Sequence, residues 1–221
     1  MEYLTHSLLN ESEAHNIVKE LQAEKSSWQD GKKTAGSHAA KIKNNFQLDK
    51  NSKISIKIKD LVVKKIISDA LIKSFTLPCL IHGVMLTKSL AGNGYGMHVD
   101  NPYMPSGRSD LSFTLFLNEP ENYEGGSLCI QTINETKKIK LPAGEIIIYP
   151  STKIHSVSQV EKGERFVCVG WIQSYVQNNE DRNFLFGLDA GAKGLLSKHG
   201  RSDELDLIFQ AYSNLLRRLG D

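Results

Sequence analysis

The chain has 221 residues, 40% of them hydrophobic and 24% charged, which is enough to bury the core of one globular domain with small helical additions. A formal net charge of +2 gives no basis for a nucleic-acid or membrane surface. No basic, apolar-cored leader and no run of about 18 apolar residues is present, so a cytoplasmic protein without membrane contact is expected.

Asn10, followed three residues on by Glu13, starts a helix as a capping box, with Ala14, Ile17, Val18 and Leu21 on its packing face. The polar stretch from Trp28 to Gln47 is punctuated by Asp30-Gly31 and Ala35-Gly36, and its length predicts that it borders a site. Ile58, Leu61, Val62, Ile66, Ala70 and Leu71 recur at helical spacing and predict a second helix, ended before Leu77-Pro78. The lysines from Lys50 to Lys73 then read as its solvated face.

From Cys79 to about Ser174 the pattern changes to short apolar or alternating runs separated by Gly-rich turns. Strands are predicted at 79–88, 95–100, 110–117, 127–131, 136–140, 145–149, 154–159 and 165–173. Eight strands in this space predict a mainly β fold, a double-stranded jelly roll flanked by helices. Cys79, Cys129 and Cys168 form no CxxC pair, so they read as small buried residues in a reducing compartment. After Ser202 and Asp203, Leu205, Ile208, Phe209, Tyr212, Leu216 and Leu219 form an amphipathic stripe that covers the jelly roll or faces a second subunit in a homodimer. The expected division is 1–174 for the domain, with its core at 79–174, and 175–221 for a C-terminal helical extension.

Within the β region, His98 and Asp100 are two residues apart. On a strand they point to one face and can present an imidazole and a carboxylate to one ion. His155, at the start of a later strand, supplies a second imidazole. Two histidines and a carboxylate on one face of an octahedral ion leave three positions open, the arrangement associated with non-haem Fe(II) oxygenases. A carboxylate at position 100 also points to oxygen transfer rather than halide transfer, which uses a small residue there. Arg165, ten residues after His155, can hold the distal carboxylate of 2-oxoglutarate bidentately. The bland alternatives are a turn histidine at 155 and a structural ion pair at Arg165.

Several motifs then agree in order: His98-x-Asp100, Glu124-Gly125-Gly126, Leu141-Pro142-Ala143-Gly144, His155 ahead of Arg165, and Trp171-Ile172-Gln173-Ser174. With Trp28-x-Asp30-Gly31, Thr34-Ala35-Gly36 and Lys43-Asn44-Asn45-Phe46-Gln47 upstream, the chain resembles the bacterial PKHD-type hydroxylases, relatives of prolyl 4-hydroxylases, over nearly its whole length. The resemblance implies a 2-oxoglutarate-dependent dioxygenase that uses O2 to hydroxylate an aliphatic C–H of a protein residue or a small amino-acid-like substrate. Succinate and CO2 would be released. It implies that His98, Asp100 and His155 bind Fe(II), that Arg165 binds 2-oxoglutarate, and that L-ascorbate is the reductant. The segments 28–47 and 101–109 are expected to wall the site, with Asn45, Asn101, Tyr103 and Arg108 as substrate contacts. Two positions depart from the family pattern: Ser89 and Phe116 stand where relatives carry tyrosines, removing both familiar phenolic partners of the co-substrate tail. A nucleic-acid demethylase on the same fold is the first rival, although such relatives show a second arginine where Trp171 stands. The other rival is a non-catalytic metal-binding jelly-roll module, although a structural site is normally closed by four protein ligands.

Overall fold

The computed structural model describes residues 2–25, 27–34 and 41–221. Strand β1 (Leu4–Ser7) leads into helix α1 (Glu11–Ala23). The capping box forms as expected: the Asn10 side chain accepts from the Glu13 N–H and the Glu13 carboxylate accepts from the Asn10 N–H, each at 2.9 Å. Ala14, Ile17 and Leu21 are buried. The stretch expected to be a turn-rich connection instead contains three short strands, β2 (Trp28–Asp30), β3 (Lys43–Asn44) and β4 (Phe46–Leu48). β2 and β3 lie at sheet edges and β4 lies between β2 and β5, and all three are too short to carry a period-2 signal. The Ala35-Gly36 turn lies outside the described residues.

The second expected helix is two helices, α2 (Lys53–Ser68) and α3 (Ala70–Thr76). Asp69 makes the break. Its N–H closes α2 on the Lys65 carbonyl at 3.1 Å, and its carboxylate caps α3 by accepting from the Ile72 N–H at 2.8 Å. The same carboxylate accepts from His6 Nε2 at 2.9 Å, tying β1 to the helix pair. Leu77 ends α3 in the left-handed region, with φ 44, just before Pro78.

The β region follows the expected order with added short strands. It comprises β5 (Pro78–Leu90), β6 (Gly94–His98), β7 (Tyr103–Met104), β8 (Gly107–Arg108), β9 (Leu111–Phe116), β10 (Tyr123–Gly125), β11 (Leu128–Gln131), β12 (Thr136–Ile139), β13 (Glu145–Pro150), β14 (His155–Val157) and β15 (Val160–Ser174). The larger sheet has the order β1-β13-β9-β15-β5-β4-β2, with β10 pairing β15, and the smaller has the order β12-β11-β14-β6-β3. This is the expected double-sheet jelly roll.

Alternation along β9 explains how the larger sheet serves two compartments. Leu111, Phe113 and Leu115 face the core shared with Ile17 and Leu21 of α1, Ile58, Val62 and Ile66 of α2, and Ile72 and Phe75 of α3. Phe116 faces the other way, packing with Val167, Ile147 and Tyr149 against Leu128, Ile130 and Ile139 of the smaller sheet. Ser112 and Thr114 share that inner face, so polar groups on a fully buried strand mark the space between the sheets.

Beyond β15, α4 (Asn179–His199) and α5 (Asp203–Leu219) pack on each other. Leu77, Val176 and Leu185 form a small core with Tyr212, Leu215, Leu216 and Leu219. Buried Arg182 donates to the Val176 and Gln177 carbonyls, both at 2.7 Å. Among the described residues no helix is long and apolar enough to cross a membrane.

Asp69→Ala removes the α3 cap and the His6 contact together, so about 1–2 kcal/mol of stability should be lost in urea denaturation. An unchanged midpoint would show that the break between α2 and α3 is held by packing alone.

Candidate metal centre

His98 ends β6, His155 begins β14, and the two are register partners across the antiparallel pair. Their rings therefore meet on the inner face, with centroids 4.2 Å apart and planes 52° apart. The sequence reading placed His98 and Asp100 on one strand, 95–100, but the strand stops at His98 and Asp100 lies beyond it. Even so, its two oxygens reach both imidazoles: Oδ1 is 3.8 Å from His98 Nε2 and Oδ2 is 3.8 Å from His155 Nε2. Among the described residues this is the group of His, Cys, Asp and Glu whose ligand atoms, all within 4.8 Å of one another, could hold a metal ion.

The imidazoles are oriented by backbone. His98 Nδ1 lies 2.8 Å from the Gly96 carbonyl, and His155 Nδ1 lies 3.0 Å from the Lys153 carbonyl. A carbonyl can only accept, so each Nδ1 carries the proton and each Nε2 turns its lone pair to the shared centre. Two such nitrogens and a carboxylate are the donor set that Fe(II) takes on one octahedral face, so the residues fit the ion.

Asp100 is held from the opposite sheet. Its Oδ2 accepts from Ser112 Oγ at 2.5 Å and from the Trp171 indole N–H at 3.0 Å. Ser112 and Trp171 are themselves register partners on β9 and β15, and Ser112 also meets Ser151 Oγ at 2.7 Å. Gly83 makes room for the indole: it has φ +61, and a Cβ there would lie 2.5 Å from Trp171 Cε3. His82 stacks on the indole at 6.4 Å, while its ring nitrogens meet Ser106 Oγ and the Arg108 carbonyl, both at 2.9 Å. Trp171 thus positions Asp100, a role that the sequence reading did not give it, having used it as part of a family motif and to set aside a rival. The available signal was its parity with Arg165, which puts both on the inner face of one strand.

Burial, then repulsion from His155, pushes His98 down to about 4, against the support of the Gly96 carbonyl and Asp100. Tyr95 stacks on His98 with centroids 3.7 Å apart. Its phenol is raised to about 12, by burial first and then by Asp100. Lys43, buried beside the Tyr95 ring, is lowered to about 8 by burial, against Asp100 and Asp30.

Arg165 is 3% exposed, and no described carboxylate pairs with it. Its Nε is buried without a hydrogen-bond partner. Burial lowers its pKa, opposed by the phenols of Tyr123 and Tyr149, and Phe116 lies under the guanidinium at 5.6 Å. Ser89, where relatives carry a tyrosine, is the buried register partner of Arg165 on β5. The expectation that this end lacks a phenol is therefore corrected: two tyrosines from other strands flank Arg165. Tyr149 hydrogen-bonds Thr114 and meets the His155 ring edge-on at 5.2 Å, bridging the triad and Arg165. A buried guanidinium without a protein counter-ion is costly, and an oxo-acid carboxylate fits the need.

The remaining expected contacts divide. Asn45 lies against Gly31, its Oδ1 buried without a hydrogen-bond partner. The Asn101 carbonyl accepts from Ser109 Oγ, and Tyr103 is 71% exposed on β7. Arg108 is committed elsewhere: it binds Asp110 at 2.8 Å, the Ser174 carbonyl at 2.9 Å and Asp221 at 3.4 Å, clamping the β7–β8 hairpin to the chain terminus. Its guanidinium is thus held by protein groups on three sides.

The sequence profile of the 2OG-Fe(II) oxygenase superfamily matches residues 84–173. The chain is 80% identical over 221 residues to a PKHD-type hydroxylase of Prochlorococcus marinus strain NATL1A, covering 100% of each. Its fold matches a Pseudomonas putida prolyl-4-hydroxylase with a TM-score of 0.56 at 16% identity, over 78% of this chain and 92% of that one. It also matches a Trichoplax adhaerens prolyl hydroxylase, solved with a hypoxia inducible factor oxygen degradation domain peptide fragment, with a TM-score of 0.57 at 16% identity over 83% and 86%.

Trp171→Phe keeps the ring packing and removes the donor to Asp100, so Fe(II) affinity in anaerobic calorimetry should fall about 10- to 100-fold while the circular dichroism stays unchanged. The depressed His98 value sets a second expectation. As pH falls from the ordinary value of 6.5 toward 4, the unfolded chain takes up the proton first. Stability from neutral His98 is thus whole above that window and lost within it. Chelator-treated wild type should lose melting temperature there more steeply than His98→Gln, and parallel curves would refute this.

Proposed function

The chain belongs to the PKHD-type hydroxylases and is a 2-oxoglutarate-dependent dioxygenase, and from that premise we propose that it hydroxylates an aliphatic C–H of a peptide residue or amino-acid-like substrate in a prolyl-hydroxylase-like reaction. The carrying observation is buried, carboxylate-free Arg165 in the same inter-sheet space as the triad. When bound, Fe(II) with 2-oxoglutarate and O2 supplies the oxidant for C–H hydroxylation, with succinate and CO2 as co-products.

In this reading His98, Asp100 and His155 hold the ion, and the Gly96 and Lys153 carbonyls accept from the Nδ1 atoms and keep each Nε2 aimed at it. Ser112 and Trp171 fix Asp100 by donating to one oxygen, leaving the other for the ion. Arg165 takes the distal carboxylate of 2-oxoglutarate and so sets the orientation of the keto-acid end at the centre. Tyr149 and Phe116 line the path between the two and exclude water from it. The segments 28–47 and 101–109 form the walls that admit the substrate, with ascorbate serving as external reductant. The commitment of Trp171 to Asp100 argues against the demethylase reading, which uses an arginine at that position.

Anaerobic protein with Fe(II) and 2-oxoglutarate should develop a weak visible charge-transfer band that His98→Ala abolishes. In aerobic cell extracts, a mass gain of one oxygen atom dependent on 2-oxoglutarate should then identify the target. A wild-type spectrum without the band would overturn the proposal.

A further inference from the structure

Two buried polar atoms, Arg165 Nε and Tyr123 Oη, lie together between the sheets without a further protein partner, and each residue is 3% exposed. The phenol oxygen serves the guanidinium as an acceptor, which leaves the phenol O–H to donate elsewhere. Tyr123 opens β10, whose register partner on β15 is Gly163. Its ring is fixed on one side by Lys140, whose Nζ lies 3.9 Å from the centroid and donates to the Tyr123 carbonyl at 2.7 Å. The ring and the Arg165 stem come together at Gly126, which has φ +64. A Cβ there would lie 3.0 Å from Arg165 Cδ and 3.1 Å from Tyr123 Cε2. The second glycine of Glu124-Gly125-Gly126 thus permits the approach of phenol to guanidinium.

Burial raises the Tyr123 phenol above its ordinary value, with Arg165 acting the other way. The hydroxyl therefore keeps its proton and can donate. A guanidinium and a neutral phenol side by side in a dry site call for an anionic acceptor between them. Tyr149, the other phenol beside Arg165, already has Thr114 as a partner, and the tyrosine positions of relatives hold Ser89 and Phe116 here.

We propose that Tyr123 donates its hydroxyl to the distal carboxylate of 2-oxoglutarate beside Arg165, taking over from the phenols missing at positions 89 and 116. The assignment rests on the co-substrate reading under Proposed function. It makes Tyr123 a selectivity residue for oxo-acids that carry a second carboxylate.

The test is calorimetric titration of 2-oxoglutarate and of pyruvate, which lacks the distal carboxylate, into Mn(II)-loaded wild type, Tyr123→Phe and Tyr149→Phe. Tyr123→Phe should weaken 2-oxoglutarate about tenfold, leave pyruvate and the melting temperature unchanged, and exceed the effect of Tyr149→Phe. Unchanged 2-oxoglutarate binding by Tyr123→Phe, equal weakening of both acids, or a larger effect of Tyr149→Phe would overturn the assignment while leaving the co-substrate reading intact. Wild type that takes up no 2-oxoglutarate would overturn that reading and the assignment with it.

Discussion

The Asp100 carboxylate is the point at which the two sheets of this protein are made to agree. It follows the end of β6, so no ladder of its own strand fixes it. Ser112 and Trp171 donate to it from the larger sheet, and the two imidazoles it faces belong to the smaller one. A shift of either sheet by one residue would turn Ser112 or the histidines away from the centre, because side chains alternate faces along a strand. The geometry of the candidate metal centre is thus a consequence of sheet register. The glycine at position 83 and the His82 stack extend the same constraint outward to the β7–β8 hairpin.

A second constraint is electrostatic. The space between the sheets holds a cation, Arg165, with phenols but, among the described residues, no paired carboxylate, and an anion, Asp100, facing two imidazoles. In a low-dielectric interior each charge is tolerable only with a counter-charge or several hydrogen bonds. Asp100 has its donors from the protein and awaits a cation; Arg165 awaits an anion. The fold therefore carries two complementary demands, and a ferrous ion with a dicarboxylate co-substrate meets both.

Much of this was legible in the chain. The Asn10 and Glu13 capping box acts within one turn, and the long strands β9 and β15 alternate clearly enough to be seen without partners. The ligand spacing of His98, Asp100, His155 and Arg165 was readable because ligand chemistry restricts which residue types can serve. The short strands β2, β3 and β4 were not readable, since two or three residues become a strand only when a neighbour supplies the ladder. The break at Asp69 was hidden by a helical periodicity that continues through it. Arg108 looked like a free guanidinium in a loop beside the site until Asp110, Ser174 and Asp221 converged on it from elsewhere.

By itself the sequence determined the starts of the first and last helices, the jelly-roll class and the candidate ligand set, because caps, alternation and donor chemistry are properties of neighbouring residues or of residue type. Only the tertiary structure decided that Asp100 is carried by Trp171 and Ser112, that Ser89 sits opposite Arg165, and that Tyr123 and Tyr149 supply the phenols there. Those contacts join strands tens of residues apart. They are set by the register and facing of two sheets, and no local pattern encodes the distance between them.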